Sequence, residues 1–282
     1  MNKKHVVVSK AISYFLLIFL ALVMLYPLLW MAGGALKSNN EIFGSINLLP
    51  KNPVFSAFQE GWGGSGQVSF GRFLANTFAL VIPTVLFTVV SSVLVGYGFA
   101  RFDFPFKRMI FTIMLSTMML PATVVIIPRY IFFSRLGWLD TYLPFIVPAA
   151  LGCYPFFTYL MVQFFRGLPM ELDESAKMDG CNSAVILVRI LLPLCKSAIF
   201  SVIIFQFVWT WNDFFNVLIY ISSVIKYPVA LGLRLSIDIV SSNVHWNSLL
   251  ALSLVSIIPP VVLFFSAQKY FIEGIATTGM KN

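Results

Sequence analysis

Charge is what this chain has least of. Asp, Glu, Lys and Arg together make up 11% of its 282 residues, against about 25% in soluble domains, so it lacks the polar surface that water demands. Histidine is confined to His5 and His245, and no paired-cysteine spacing or H-E-x-x-H stretch offers a metal site. Cys153, Cys181 and Cys195 form no disulfide framework and read as reduced structural thiols. No G-x-x-x-x-G-K-[ST] run cradles a nucleotide phosphate and no G-x-S-x-G elbow presents a serine. The chain therefore binds no ATP through a P-loop and carries no recognisable catalytic constellation. A net charge of +8 without a basic cluster argues for membrane orientation rather than nucleic-acid binding.

What the chain has in excess is apolar surface: 59% hydrophobic residues and 29 phenylalanines. Residues 11–36, 73–100, 109–128, 141–165 and 239–268 contain no charged side chain, and 197–225 contains only Asp213. A helix needs about 20 apolar residues to cross the hydrocarbon core, so each run is long enough. The expected fold is an all-α polytopic membrane protein with six transmembrane helices. The spans are placed at about 11–36, 73–100, 109–133, 141–165, 197–221 and 246–270. Pro121 and Pro128 are expected to break the third near its outer end, and Cys153 falls inside the fourth. Carboxylates within spans are nearly absent, which argues against a proton relay.

Orientation follows from lysine and arginine. With the N-terminus inside, 12 of the 19 basic residues lie in cytoplasmic segments and seven in the longer outside segments. The positive-inside rule then predicts both termini in the cytoplasm. It also predicts an outside loop at 37–72 and a cytoplasmic loop at 166–196. The first apolar run exceeds the 7–15 residues of a signal h-region and ends in bulky Trp30 and Met31, so it is expected to remain as a span. The outside loop mixes glycine and serine (GWGGSGQ, 61–67) with Phe43, Phe55, Phe58 and Trp62. It is too short for its own core and reads as a connector or as a docking surface.

The cytoplasmic loop contains ELDESAKMDGCNSAVILVRILLPLCK, 171–196, with four carboxylates in nine residues. Pro169 suits the first helical position, and Glu171, Asp173 and Glu174 follow where carboxylates favour the helix dipole. Lys177 is spaced to pair with Asp173 or Glu174. Gly180 fits the position just past a helix end. Asn182 or Ser183 can cap a second helix through Val185–Leu192 to Pro193. The expected unit is a charged helix, a glycine turn and a second helix, held at both ends by spans and lying against water or another protein.

Glu174-Ser175-Ala176, Gly180 after three residues, and Ile190-x-Leu192-Pro193 after nine more resemble the EAA loop of permease subunits of binding-protein-dependent ABC importers. Ser175 stands where the family has alanine, a change of small for small. The resemblance extends to NTFALVIPTVLFTVVSSVLVGYGFARFDFP (76–105), MMLPATVVIIPRY (118–130), LGWLDTYL (136–143), FVWTWNDFF (207–215) and PVALGL (228–233). These are similar to the smaller of the paired maltose-type carbohydrate permeases. The resemblance implies a bacterial plasma (inner) membrane subunit paired with a second homologous permease. Two copies of a cytoplasmic ATPase would bind ATP and Mg, a solute-binding protein would deliver cargo from outside, and this chain would hold no cofactor of its own. It further implies that the 170–180 helix docks in a cleft of the ATPase. Glu174 would supply charge pairing there, Ala176 close packing and Gly180 the bend, with Asp173, Ser175, Ile190 and Pro193 in the same coupling set.

Asp213 needs a separate account. A carboxylate near mid-membrane costs about 2.5–3.5 kcal/mol on insertion scales, so it faces a partner or a polar cavity. With Trp209, Trp211 and Asn212 it forms a set able to line a sugar path; alternatively it ties helices together or lies at the outer interface, where Arg129 is expected to snorkel. The cargo stays open between a sugar or oligosaccharide and another small solute such as a polyol phosphate. A non-transport docking or assembly protein is the reading from a different class.

Overall fold

The computed structural model describes residues 3–45, 47–63, 68–239 and 245–279, and their regular structure is helical. Four segments are long and apolar enough to cross a bilayer: Ile12–Ala35, Phe70–Arg101, Leu143–Gly167 and Trp246–Lys269. Two pairs, Lys107–Thr117 with Ala122–Arg135 and Ser183–Leu194 with Lys196–Trp211, pass the same test jointly but are bent by 104° and 79°. Counting each pair as one span gives six.

The chain divides into two compact units. The first comprises Met1–Gly71 and Gly232–Ile258. Its long helix α1 (Lys3–Ala35) has a most apolar window with no residue buried within the chain, so that surface requires lipid or another subunit. Two short helices follow, α2 (Asn39–Gly44) and α3 (Ser56–Trp62). Ala35, Ala57 and Ala251 form a tight core, and Phe43 meets Trp246 edge to face at 5.7 Å. Lys51 N donates to Glu41 Oε1 at 2.9 Å, and Val54 N to Leu36 O at 2.8 Å. The segment after α1 is thereby ordered through its own hydrogen bonds.

The second unit comprises Arg72–Leu231 and Pro259–Asn282. Most of α4 (Phe70–Arg101) lies in it. Thr77, Thr84 and Thr88 donate to the carbonyls four residues back, the usual way a hydroxyl is satisfied inside an apolar helix. Ser91 Oγ lies 3.3 Å from Thr88 O and, more closely, 2.6 Å from Ala149 O, the latter an interhelical bond. Gly96 lets α4 approach its neighbour, because a Cβ there would stand 2.7 Å from Met161 Cβ. Small residues at helix contacts serve this purpose in membranes.

The third expected span is broken at Pro121, which separates α5 (Lys107–Thr117) from α6 (Ala122–Arg135). Pro128 does not break it: α6 runs through that proline to Arg135. The fourth is two helices, α7 (Leu143–Ala150) and α8 (Pro155–Gly167). Gly152, at φ +70°, closes α7 with bonds from Gly152 N to Ala149 O and Cys153 N to Pro148 O, the paired closure of a left-handed C-terminus. Cys153 therefore sits, exposed, in a turn rather than in a helix.

Beyond α8 come α9 (Glu171–Met178), α10 (Ser183–Val185), a π-helical turn at Ile186–Leu191, α11 (Leu192–Leu194) and α12 (Lys196–Trp211). The expectation of one regular helix through 185–193 fails because Pro193 has no N–H and its ring crowds the carbonyl four residues back. The wider π turn just before it relieves that conflict. The helix of the fifth expected span ends at Trp211, followed by α13 (Phe215–Tyr220), α14 (Val229–Ile239) and α15 (Trp246–Gly279). The loop between α13 and α14 is stitched to α4. Asn76 Nδ2 donates to Ile225 O and Tyr227 O at 2.7 and 3.0 Å, and Val229 N donates to Thr77 Oγ1 at 2.9 Å.

Candidate functional site

The charged loop is built from the end of α8. Leu168 is extended (φ −86°, ψ 138°), as a residue before proline prefers. Pro169 therefore precedes the helix rather than opening it, and Met170 O accepts from Asp173 N and Glu174 N at 2.9 and 3.1 Å. Helix α9 has two faces. Asp173 and Ala176, three residues apart, are buried; Glu171, Glu174, Ser175, Lys177, Met178 and Asp179 are exposed.

The inner face corrects two expectations. Asp173 meets neither water nor Lys177. Its Oδ2 lies 3.1 Å from Nε of Arg101, with side-chain exposures of 5% and 4%. The contact is an ion pair rather than an aligned hydrogen bond. Arg101, the last residue of α4, also donates through Nη2 to Leu168 O at 3.1 Å and through Nη1 to Met170 Sδ at 3.0 Å. One guanidinium thus holds the entry turn and first turn of α9 onto the end of α4. Ala176 packs inward with Ile186, Leu187 and Leu191 in the core that also takes Phe165 and Tyr97, so its close packing is with its own chain. Sequence reasoning missed Arg101 because an arginine beside a predicted span end reads as a topology signal.

The far end of α9 closes as expected. Gly180 has φ +79°; Gly180 N donates to Lys177 O at 3.0 Å and Cys181 N to Ala176 O at 2.9 Å. A Cβ on Gly180 would touch nothing within 4 Å among the described residues, so the glycine is required by its backbone angle alone. Asn182 is the cap of the next helix, its Oδ1 accepting from Val185 N at 2.9 Å. Tyr97 Oη reaches Ser183 O at 3.2 Å, a second tether from α4. Ile190 is half-buried against the same core, and Pro193 is exposed in α11. The result is a short acidic face with Met178, 89% exposed, at its tip and rigid attachments behind it.

The residues expected to line a solute path divide. Trp209, Asn212 and Asp213 share a cavity of about 440 Å³ with Arg129, Tyr154, Gln206 and Asn216. Trp211 is not among them; it is buried against Phe78 and stacked on Phe207 at 5.2 Å. Asp213 Oδ1 accepts from Asn216 N at 3.1 Å, and both its oxygens accept from Asn216 Nδ2, at 3.0 and 2.9 Å. It therefore secures the start of α13 while facing the cavity. Arg129 is exposed and lines the same cavity. Gln206 and Tyr154 were not legible as members, since single polar residues within apolar helices give no periodic signal.

A further cluster outside the helices was also unforeseen. Asp140, at φ +56°, accepts from Ser222 N, Ser223 N, Ser223 Oγ and Lys226 Nζ at 3.1, 2.8, 2.6 and 2.7 Å. The Lys226 ammonium first, then the Ser223 donors, hold its carboxyl well below the usual carboxylate range. This latch fastens the turn before α7 to the loop after α13.

The family described as binding-protein-dependent transport system inner membrane component matches residues 92–276. The galactooligosaccharides transport system permease protein GanQ of Bacillus subtilis (strain 168) is 30% identical over 270 residues, spanning 95% of this chain and 94% of that protein. The arabinooligosaccharides transport system permease protein AraQ of the same organism is 31% identical over 265 residues, 93% and 92% of the two chains. The sn-glycerol-3-phosphate transport system permease protein UgpE of Agrobacterium fabrum (strain C58 / ATCC 33970) is 26% identical over 276 residues, 96% and 97%. In fold, the chain superposes with a TM-score of 0.78 on a crystal structure of a bacterial ABC transporter involved in the import of the acidic polysaccharide alginate. That match is at 23% identity and covers 96% of this chain and 99% of that one. The chain accordingly belongs to the family of binding-protein-dependent transport system inner membrane components, a multi-pass membrane permease and not an enzyme.

Proposed function

We propose that this chain is a permease subunit of an ATP-driven importer for a sugar or oligosaccharide in a bacterial inner membrane. A second, homologous permease completes the pathway and a solute-binding protein delivers cargo from outside. Two copies of a cytoplasmic ATPase hold ATP and Mg and supply the work. Both termini and the 166–196 loop are cytoplasmic in this reading, the 37–72 loop is outside, and six spans lie between; the bias of lysine and arginine supports this orientation.

The observation that carries the reading is the construction of α9. Its outer face offers Glu171, Glu174, Ser175 and Met178 to a partner, while Arg101 and Gly180 hold its two ends to the membrane helices. A helix so mounted moves as a rigid piece, and displacement by an ATPase reaches α4 and α12 without being absorbed in a flexible loop. Ile190 and Pro193 extend the mount toward α12. Likeness to the galactooligosaccharide and arabinooligosaccharide permeases supports carbohydrate cargo. The second reading keeps the transporter and changes the cargo to a polyol phosphate, supported by likeness to the glycerol-phosphate permease.

The test is binding-protein-stimulated ATPase activity of the reconstituted assembly. Glu174→Ala and Gly180→Pro should assemble in parental amounts and lose stimulation. Parental stimulation in both would reduce the loop to a solvated connector and overturn the coupling role.

A further inference from the structure

The cavity lined by α6, α7, α12, α13 and Tyr154 contains more than a path for solute requires. Gln206 is 5% exposed. Its Nε2 donates to Thr210 Oγ1 at 2.7 Å, and its Oε1 has no hydrogen-bond partner among the described residues. Buried polar atoms in folded proteins are almost always paired, and one left unpaired beside a cavity marks the place of a ligand group. A hydroxyl both donates and accepts, so it satisfies either side of that amide; an ionised phosphate or carboxylate offers no donor.

The other walls agree in their chemistry. Trp209 is 50% exposed, and its ring is braced by Phe156, Phe157 and Phe205, with centroids 5.1, 5.1 and 6.3 Å away. A half-exposed indole braced by three rings is a rigid platform for the C–H face of a pyranose, which buries apolar surface without needing new order. Arg129 and Asp213 line the same cavity with opposite charges, and Asn216 fixes the carboxylate. One charge of each sign gives the site no net preference for an anion, while each bonds strongly to neutral hydroxyls. The volume of about 440 Å³ falls within the range of about 300–1,000 Å³ typical of small-ligand sites.

We propose that this chain itself binds one ring of a neutral sugar during transport, with the ring on Trp209 and a hydroxyl at Gln206. The site is not left wholly to the partner permease. The proposal rests on the carbohydrate reading of the cargo given above, and it adds a specificity: neutral saccharides over phosphorylated or uronic-acid solutes.

The test uses the whole reconstituted assembly with its binding protein. Uptake into proteoliposomes is first measured with radiolabelled galactotriose, arabinotriose and glycerol 3-phosphate. Uptake of glycerol 3-phosphate alone overturns the carbohydrate reading and this proposal together. Where a trisaccharide is taken up, a diazirine-bearing form of it is photolysed in the parental assembly under turnover and the adducts are mapped by mass spectrometry. Adducts within residues 205–216 of this chain are expected; labelling only in the partner permease overturns the proposal and leaves the cargo reading intact. In parallel, Trp209→Leu and Gln206→Leu should lower trisaccharide uptake at least tenfold in assemblies recovered in parental amounts. Trp209→Phe should retain most uptake. Parental uptake in both leucine variants overturns the proposal, and the adduct map decides the question even where a variant fails to assemble.

Discussion

Removing one partner of the Arg101–Asp173 pair should loosen α9 without unfolding the membrane helices. In Asp173→Asn the guanidinium keeps Leu168 O and Met170 Sδ but loses its countercharge in a site where its side chain is 4% exposed. Breaking a buried pair from one side costs about 3–5 kcal/mol, because the remaining charge stays desolvated. The global fold need not bear that cost. Helix α9 is eight residues long and buries only Asp173 and Ala176 of its own, so it opens locally before the spans separate. At about 1.4 kcal/mol per tenfold change, protection of the 171–181 amides against hydrogen exchange should fall by about 10²-fold or more. Protection in α4 and α12 should be unchanged. The double variant Arg101→Met with Asp173→Leu removes both charges and should restore most of the protection, since apolar replacement of a buried pair is often neutral. Hydrogen–deuterium exchange on the assembled transporter reads all three variants. Unchanged protection in Asp173→Asn would refute the reasoning, because the pair would then not hold the helix.

Three further outcomes follow from separate features. Gly180→Asn should keep most binding-protein-stimulated ATPase, whereas Gly180→Val, which forces a β-branched side chain into φ +79°, should lose it; the left-handed penalty is about 1–2 kcal/mol. Gly96→Ala places a methyl 2.7 Å from Met161 Cβ and should lower the assembly's thermal midpoint by an amount corresponding to about 1–3 kcal/mol of overpacking, with Gly98→Ala, where a Cβ meets nothing within 4 Å among the described residues, as the control. Asp140 has a lowered folded-state pKa, so its contribution is present above the unfolded carboxylate value of about 3.9 and is lost as pH falls below it. Asp140→Asn should therefore lower the thermal midpoint equally at pH 5 and pH 8, with the difference from parent narrowing below pH 4; a difference confined to high pH would contradict the latch.

The helical class and the acidic loop were legible because their signals are periodic or local. Charge-free runs mark membrane segments, and Gly180, Asn182 and the first-turn carboxylates are read from spacing alone. What was not legible depends on which residues meet across the chain. Arg101 and Asp173 are 72 positions apart, and each alone looks like an ordinary surface charge at a span end. Ala176 was assigned to the partner because the motif presents it beside Glu174, yet a three-residue step from Asp173 puts it on the inner face. The π turn at Ile186–Leu191 follows from Pro193, but only once the chain is known to continue helically up to that proline. Trp211 and Trp209, two residues apart on α12, point to different surroundings. Gln206, the most informative residue of the cavity, carries no motif at all.

The central claim is that the exposed face of α9 meets the ATPase. The most direct measurement places a photo-crosslinking amino acid at Met178, the tip of that face, and at Leu120 in the turn between α5 and α6, then irradiates the assembled transporter. The account predicts a crosslink to the ATPase from position 178, altered in yield when ATP is bound, and none from position 120. Absence of that crosslink at position 178 in an assembly with active ATPase would contradict it.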